Sequence, residues 1–417
     1  MPVTPDVIVV GAGAAGIVAA WRSATLGARV LLLEKTPRLG TKILISGGGK
    51  CNITHDGELE DVLGAFRPNE ARFIRPACYR FTNRDIVEML TSRGLEVYTR
   101  PDGRIFPVRQ TAKDVVVILG SYLREAGVEL RINCPVLSIL HEGDQVTGVR
   151  TSYEDVACRR VILCAGGSSY PSSGTTGDGY AWSRALGHTV VKVRAALAPI
   201  YLETNEGWPA ERSGIALRDV LLKAKQGKEI ARWRGDLLFT HHGVSGPTVL
   251  GVSRVVAERI GEGRITLEVD LVPNLSHEAL SADLASWIAA NPRKTLVSLA
   301  ERVVPQRLAN ALAVDACPGV GIPVKGLSLK ARNRIVETIK SWPLGEVRAV
   351  PLEKGEVVAG GVSLDEVDPQ TMRSLKCAGL YLCGEILDIA GPVGGYNLQA
   401  AFATGFVAGE SAARGED

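Results

Sequence analysis

The stretch that decides the fold is Asp6-Val-Ile-Val-Val-Gly-Ala-Gly-Ala-Ala-Gly-Ile-Val-Ala-Ala20. It opens as a short apolar run, turns on glycines and continues as an alanine-rich segment. Gly11, Gly13 and Gly16 give the spacing G-x-G-x-x-G. This order predicts a β-strand, a tight turn and a helix, which together begin a dinucleotide-binding unit. Because the same spacing also occurs at close helix crossings, the residues that follow decide between the two interpretations.

An acidic residue completes the unit. A second apolar run, Ala28–Leu33, ends at Glu34, eighteen residues after Gly16. A carboxylate at this point can accept hydrogen bonds from a ribose 2′-OH and would repel a 2′-phosphate. The pattern therefore favours FAD or NAD over NADP.

The three glycines have different predicted tasks. Gly11 lets the chain turn sharply, Gly13 leaves room for a pyrophosphate, and Gly16 lets the helix pack closely on the strand. The first N–H groups of the helix, at Ala14 and Ala15, would then face the phosphates.

Composition narrows the class of protein. The chain has 417 residues and a net charge of +3, with acidic and basic residues mixed along it. No basic run with interleaved aromatic residues appears, so we expect no nucleic-acid partner. The first residues lack a signal-peptide pattern and no apolar run reaches the length of a membrane span, which predicts a cytoplasmic protein without a transmembrane segment. Eight scattered cysteines, none in a C-x-x-C pair, predict buried core residues and neither a metal site nor a disulfide framework.

Glycines and apolar strands occur at both ends of the chain, with a different composition between them. We predict an α/β fold whose FAD-binding domain is built from residues 1–190 and 351–417. A β-rich inserted domain over 191–275 and a helical inserted domain over 276–350 would lie between the two halves.

Local sequence motifs predict two helices and a hairpin after the first glycine-rich region. Two helical patterns begin near Asn83 and Thr111, which we predict as their N-caps. Glu96–Phe106 reads as a hairpin that turns at Pro101-Asp-Gly103.

A glycine-rich loop follows Glu34. Gly40–Thr54 contains three consecutive glycines flanked by small polar residues, which can bring backbone N–H groups against a flat ligand. Lys42 or Arg38 is positioned to meet a phosphate. The alternative is a flexible surface loop, but the position just beyond the ribose-binding acid favours a binding role.

The C-terminal part supplies a second candidate ligand-binding region. Gly384-Glu385 ends an apolar strand, and Gly394-Gly395 opens an alanine-rich helix whose positive end would stabilise the negative pyrimidine edge of a reduced flavin. Glu385 can accept hydrogen bonds from a polyol chain. Ala165-Gly166-Gly167 ends another strand in the same way. Taken alone, Gly394-Gly395 is equally compatible with an ordinary loop before a surface helix, and the alternative for Ala165–Gly167 is a plain β-turn.

Together these stretches resemble the BaiN-like bacterial flavoproteins, a family of NAD(P)/FAD-dependent oxidoreductases also described as aminoacetone-oxidase-type. Beside the N-terminal unit, the resemblance is carried by Ser46–Asn52 (SGGGKCN), Ala165–Pro171 (AGGSSYP), Gly174–Gly179 (GTTGDG), Phe239–Pro247 (FTHHGVSGP), Ala359–Val362 (AGGV), Gly384–Asp388 (GEILD) and Gly394–Gln399 (GGYNLQ). It implies a Rossmann-like FAD-binding domain of the glutathione-reductase-like class, with an inserted β-barrel-like part and a small helical part.

The resemblance also implies FAD, bound non-covalently, and assigns expected contacts. The glycine turn would hold the pyrophosphate, Glu34 the ribose, the Val136 backbone the adenine, the Ser46–Asn52 loop the flavin, and the C-terminal residues the ribityl chain and pyrimidine edge. The expected cofactor-binding residues are Gly11, Gly13, Ala14, Ala15, Gly16, Glu34, Lys35, Thr41, Lys42, Ser46, Gly47, Gly48, Cys51, Asn52, Val136, Ala165, Gly166, Gly384, Glu385, Gly395, Asn397 and Leu398.

The sequence says less about which molecules donate electrons to the flavin and accept electrons from it. Cys51 has no partner cysteine four or five residues further along the chain, which argues against a dithiol mechanism. No second nucleotide-binding fingerprint follows a strand, so NAD(P)H would bind transiently over the flavin, or the substrate itself would be the reductant. His241, in the inserted region, is the candidate general acid or base, against the alternative of a turn histidine bonded to backbone.

Two hypotheses about function remain. The first is an FAD-dependent oxidoreductase that moves a hydride to or from a small organic substrate at an activated C=C or C–N bond. The second is a flavin-bearing redox sensor or assembly protein that turns over no small molecule. The complete set of flavin-binding motifs favours the enzyme.

Overall fold

The computed structural model describes residues 4–203, 212–317 and 323–415. Backbone contacts divide the chain into two compact units. Unit 1 takes the residues up to Arg194 and those from Glu356 onward, and unit 2 is Ala195–Gly355. Unit 1 is therefore discontinuous in sequence.

A five-stranded parallel sheet forms the centre of unit 1, in the order β19-β10-β1-β2-β6. Strands β1, β2, β10 and β19 are buried along their whole length, as expected for a sheet covered on both faces. The strands are β1 Val7–Val10, β2 Val30–Leu33, β6 Glu129–Arg131, β10 Val161–Leu163 and β19 Leu380–Leu382.

Helices from both ends of the chain pack on this sheet. The N-terminal and C-terminal helices contact each other closely: Gly405 and Gly409 lie against the backbone of Ala15 and Ala19, where a Cβ would approach a carbonyl oxygen to 2.3 Å. The helices of unit 1 are α1 Ala14–Thr25, α2 Thr41–Ile45, α3 Leu59–Gly64, α4 Pro68–Arg80, α5 Asn83–Thr91, α6 Ala112–Glu125, α7 Asp178–Ala185 and α13 Tyr396–Arg414.

Smaller sheets flank the parallel one. The predicted hairpin is confirmed, because the second and third of three short strands pair antiparallel around the turn at Pro101–Gly103. The remaining strands of unit 1 are β3 Thr54–His55, β4 Val97–Thr99, β5 Arg104–Pro107, β7 Val136–Glu142, β8 Gln145–Thr151, β9 Asp155–Ala157, β11 Val190–Ala196, which extends into unit 2, and β18 Val357–Val362.

One predicted N-cap is confirmed and one is wrong. Thr111 caps α6 and exchanges hydrogen bonds with Asp114. Helix α5, however, is capped by Thr82, whose hydroxyl accepts from the Asp85 N–H. Asn83 is the first helical residue, and its amide instead donates to the carbonyl oxygens of His55 (2.9 Å) and Gly57 (3.1 Å). Local sequence does not distinguish Thr82 from Asn83 as the cap, because both side chains suit that position. The contact of Asn83 with His55 and Gly57 leaves Thr82 as the cap.

Unit 2 is a closed six-stranded barrel with helices. The barrel order is β12-β15-β14-β13-β16-β17, and its last strand comes from beyond the helical segment. Its strands are β12 Ile200–Leu202, β13 Ala216–Gln226, β14 Lys228–Thr240, β15 Gly243–Ser245, β16 Thr266–Asp270 and β17 Trp342–Ala349. Its helices are α8 Pro247–Arg259, α9 His277–Ala290, α10 Leu296–Ala300, α11 Gln306–Ala316 and α12 Leu329–Lys340.

The expected fold class is confirmed: a discontinuous Rossmann-like unit with an inserted barrel and helical segment. The predicted domain boundaries stay a prediction. Among the described residues, seven cysteines are buried, Cys317 is half-buried, and all are free thiols. Within the same residues, the structure has no helix of the length and apolar composition that crossing a bilayer requires.

Candidate cofactor site

The glycine turn between β1 and α1 separates two kinds of glycine. Gly11 has a φ of +102°, and a Cβ on Gly16 would lie 1.8 Å from the Gly11 carbonyl oxygen, so both are required by the fold itself. Gly13 is different: its φ of −81° is ordinary, and a Cβ there would meet no protein atom within 4 Å. The space beside Gly13 is therefore free for a ligand.

Helices α1 and α13, which begin in the two predicted ligand-binding regions, both start on glycine without a side-chain cap. Gly13 precedes α1 and Gly395 precedes α13, and neither helix has an acidic residue in its first turn. The first N–H groups of a helix lack acceptors within the helix, and they lie at its positive end. Both ends therefore suit an anionic group, as a pyrophosphate at one and a flavin pyrimidine edge at the other require.

Glu34 is held in place by backbone. One carboxylate oxygen accepts from the Ala12 N–H at 2.8 Å and the other from the Thr36 N–H at 2.7 Å. Each oxygen keeps a further lone pair, so the carboxylate remains able to accept from a ribose hydroxyl. The same bonds fix the glycine turn against the end of β2.

The two predicted ligand-binding regions, far apart in sequence, lie side by side in unit 1. The Thr54 hydroxyl donates to Gln399 Oε1 at 2.8 Å. The Asn52 amide, in the orientation that satisfies both of its ends, accepts from the Gly395 N–H at 2.9 Å. A Cβ on Gly395 would lie 2.5 Å from the Thr54 carbonyl carbon. The glycine-rich loop and the start of α13 are therefore in direct contact.

A lysine and a glutamate connect the same two regions. Lys42 Nζ lies 2.6 Å from Glu385 Oε2 and also donates to Ser169 Oγ at 3.0 Å. The Val358 N–H donates to Glu385 Oε1 at 3.1 Å. Both charged side chains are mostly buried, with 24% and 17% exposed. Where the sequence offered Lys42 for a phosphate, the structure pairs it with this carboxylate.

The three consecutive glycines all adopt positive φ, at 56°, 68° and 86° for Gly47, Gly48 and Gly49. Gly47 approaches the Asn52 backbone, whereas a Cβ on Gly48 would meet no protein atom within 4 Å. Cys51 is fully buried, and this burial raises the pKa of its thiol to about 12, although a hydrogen bond with Ser46 acts in the opposite direction. Cys51 is thus a neutral core thiol, which agrees with the expectation against a dithiol mechanism.

Several other predicted residues occupy supporting positions. Lys35 Nζ lies 2.6 Å from Asp178 Oδ2. The Thr41 hydroxyl lies 3.2 Å from that of Thr36. Val136 is buried at the start of β7. Ala165 and Gly166 lie two and three residues beyond the end of β10, and Gly166 has a φ of +73°.

The C-terminal residues are held by backbone bonds. The Asn397 amide both accepts from the Gly391 N–H (2.8 Å) and donates to the Gly391 carbonyl (2.9 Å), so it shapes the loop that precedes α13. Leu398 packs, partly buried, on the core of unit 1. The Gly384 N–H donates to Thr404 Oγ1 at 3.0 Å, which ties the end of β19 to α13.

The proposed catalytic histidine lies in unit 2. His241 is exposed in the turn between β14 and β15. Its neighbour His242 lies near Tyr201, with ring centroids 5.3 Å apart, and the His242 carbonyl accepts from the Leu202 N–H. A catalytic role for His241 stays a prediction.

Two side chains were not identified from the sequence: His55, which lies just after the Ser46–Asn52 loop, and Glu356, which interacts electrostatically with Lys42. The imidazole of His55 stacks on the Tyr396 ring at 4.5 Å and hydrogen-bonds through Nδ1 with the Gly394 carbonyl oxygen (3.1 Å). Glu356 is accessible to solvent, yet desolvation by the surrounding protein raises its pKa, while the cations of Lys42 and Arg104 act in the opposite direction. No local motif marked Glu356, because its neighbours come from distant parts of the chain.

Comparisons with known proteins agree with this geometry. The HI0933-like protein Rossmann domain family matches residues 5–411. The chain is 30% identical over 401 residues to the ribosomal RNA dihydrouridine synthase of Escherichia coli, with 96% of each chain covered. It is also 30% identical over 409 residues to the 3-dehydro-bile acid delta(4,6)-reductase of Clostridium scindens, covering 97% of this chain and 98% of the relative.

A solved structure shows the same fold. The 3-ketosteroid delta1-dehydrogenase of Sterolibacterium denitrificans superimposes with a TM-score of 0.56 at 17% sequence identity, covering 99% of both chains. The expected cofactor is confirmed as FAD, and the glycine turn, the anchored Glu34 and the two uncapped helix starts suit a dinucleotide. The chain belongs to the HI0933-like Rossmann-domain family and is an FAD-dependent oxidoreductase.

Proposed function

We propose that this protein reduces a carbon–carbon double bond conjugated to a carbonyl group, using a hydride from reduced FAD. The names of the two relatives support this choice over a C–N bond. Dihydrouridine differs from uridine by saturation of a ring double bond conjugated to a carbonyl. The double bonds of a 3-oxo-Δ4,6 steroid are likewise conjugated to a carbonyl. One chemical step, hydride to the far carbon and a proton to the near one, serves both substrates.

The observation that carries the proposal is the meeting of the Ser46–Asn52 loop with the start of α13. Bound FAD supplies the hydride chemistry, and the chain's own residues position it and set the local charge. The N–H groups at the start of α13 would stabilise negative charge on the ring edge that they face. Backbone dipoles fixed in this way are already oriented before any charge develops.

The reaction also needs a proton, and Glu356 is our candidate to hold it. Desolvation raises the pKa of Glu356, which keeps its carboxyl protonated to higher pH than a fully hydrated glutamate would be. Lys42 and Arg104 lie near enough to oppose this shift. NAD(P)H as the electron donor and His241 as an alternative acid remain predictions.

The test is anaerobic. The purified holoprotein is reduced with NADH or NADPH in a stopped-flow instrument, and the reduced flavin is then mixed with a cyclic enone steroid, with unmodified ribosomal RNA, or with buffer. Reoxidation by either conjugated compound, with the saturated product identified by mass spectrometry, is the expected result. Glu356→Gln should slow this second half-reaction and leave the first unchanged, with His241→Gln as the matched comparison.

Two results would contradict the proposal. One is a flavin that nicotinamide reduces but no conjugated alkene reoxidises. The other is a protein whose two redox states differ in partner binding without any turnover, which would favour the sensor hypothesis instead.

A further inference from the structure

Unit 2 contains a concentration of positive charge that the whole-chain balance conceals. Residues 291–340 contain nine Lys and Arg against three Asp and Glu, whereas the complete chain has a net charge of only +3. The rest of the chain is therefore net negative. A charge asymmetry of this size points to a polyanionic partner.

The fold brings several of these cations together. The Val324 N–H donates to the Lys294 carbonyl oxygen at 2.9 Å, which places the chain around Lys294 beside that around Lys325. Lys330 and Arg334 are one helical turn apart on α12. We call the exposed residues Arg293, Lys294, Lys325, Lys330 and Arg334 the basic face.

Two of the three carboxylates in the segment have partners outside this face: Glu337, exposed on α12, lies 3.6 Å from Nε2 of His277, and Asp315 is the other. Asp315 accepts a hydrogen bond from Trp342 Nε1 at 2.8 Å. Arg334 reaches the backbone carbonyl of the same residue at 3.4 Å rather than its carboxylate. Arg302, outside the basic face, is paired with Asp283 of α9 at 3.0 Å.

We propose that the basic face binds the phosphate backbone of a structured RNA. Lysine and arginine side chains that protrude from one surface neutralise phosphates and release the counterions condensed on the nucleic acid, which drives association. The start of α12, capped by Ser328 beside Lys330, adds the positive end of a helix to the same face.

An anionic membrane would require a different surface. A helix that lies in a bilayer interface needs a free apolar face along its length. The apolar side of α12, formed by Ile335, Val336 and Ile339, is instead buried in the core of unit 2. Leu329 and Val314 are the large apolar side chains exposed in the described part of this segment, and two such residues do not form a continuous stripe.

This inference rests on the proposed function only for the reaction of the bound RNA, because a conjugated double bond in one of its bases would be the group that is reduced. Binding itself needs no turnover. The charge pattern of the whole sequence predicted no nucleic-acid partner, whereas the concentration of cations in residues 291–340 is the reason to propose one.

The experiment measures binding of the holoprotein to a fluorescein-labelled, uridine-containing hairpin of ribosomal RNA by anisotropy over a range of salt concentrations. The test variant is Lys325→Glu/Lys330→Glu/Arg334→Glu. Its control, Arg72→Glu/Arg109→Glu/Lys113→Glu, makes the same charge change at exposed residues of unit 1. We expect the test variant to lose on the order of 10- to 100-fold in affinity and its log–log salt slope to fall by about 2–3, with little change in the control.

Circular dichroism and flavin reduction by NADH check that both variants fold, and the milder set Lys325→Gln/Lys330→Gln/Arg334→Gln should lose affinity in the same direction. Equal RNA affinity in the test variant and the control would overturn the proposal. Tight binding to phosphatidylserine vesicles with none to RNA would also overturn it. RNA binding without alkene reduction would contradict the proposed function alone, and alkene reduction without RNA binding would contradict this inference alone.

Discussion

Lys42 and Glu385 form an ion pair at 2.6 Å although they are 343 residues apart in sequence. Lys42 lies on α2, beyond Glu34, and Glu385 follows β19 of the parallel sheet. Their contact, together with the bond from Thr54 to Gln399, joins the two predicted ligand-binding regions of unit 1.

The ion pair should contribute to stability through coupling. Lys42→Met or Glu385→Gln leaves a mostly buried group without its partner and should cost about 1–3 kcal/mol each, at the lower end because water still screens part of the pair. The double variant should cost clearly less than the sum. Urea unfolding of the four proteins gives the coupling energy. Purely additive costs would show that the contact does not form in solution.

Gly13→Val should separate cofactor binding from folding. The backbone at Gly13 is ordinary and the space beside it holds no protein atom, so the variant should fold while its side chain occupies phosphate space. The purified protein should be colourless, with FAD content measured after denaturation. Gly16→Ala is the contrasting variant, because its Cβ would collide with the Gly11 carbonyl and destabilise the fold itself, by about 1–3 kcal/mol. Stoichiometric FAD in Gly13→Val would refute the placement of the pyrophosphate.

Cys51 should behave as a core residue without a redox task. With a pKa raised to about 12 by burial, its thiol is protonated at neutral pH, and a thiolate-to-flavin charge-transfer absorbance should be absent. Cys51→Ala should reduce stability by an amount similar to that of the matched variant Cys78→Ala, another buried thiol. Neither should change the rate of flavin reduction. A folded Cys51→Ala protein whose flavin can no longer be reduced would disprove this assignment.

His188 should make stability depend on pH. Its side chain is fully buried beside Ser374 Oγ (2.7 Å), and burial lowers its pKa, while Glu366, 3.3 Å from Nδ1, acts in the opposite direction. The unfolded chain therefore takes up a proton near pH 6.5 that the folded chain takes up only at lower pH. Stability should fall as the pH drops below about 6.5.

The midpoint of urea unfolding at pH 7.5 and 5.5 measures this effect. His188→Gln should lose part of the pH dependence, and the same substitution at exposed His141 is the control. An identical pH dependence in wild type and His188→Gln would exclude the histidine as its source.

Much of the fold could be predicted from the sequence because the motifs that specify it are local. Glycine spacing, apolar runs and the acid after the second strand lie within one βαβ unit, and each has a short-range physical cause. The hairpin at Pro101–Gly103 and the cap at Thr111 were predicted for the same reason. The cap of α5 was misplaced by one residue because a contact with His55, distant in sequence, engages Asn83.

The sequence by itself determined the dinucleotide-binding unit and the discontinuous α/β architecture, since these depend on glycine conformation and on periodicity along neighbouring residues. Its residues favoured FAD or NAD over NADP, and the family resemblance then selected FAD. Only the tertiary structure decided that Lys42 meets Glu385, that Gly395 lies against Thr54, and that Glu356 lies near Lys42 and Arg104. Those contacts join residues that are too far apart along the chain for a local sequence motif to indicate them. They exist because burial of the parallel sheet packs both ends of the chain together.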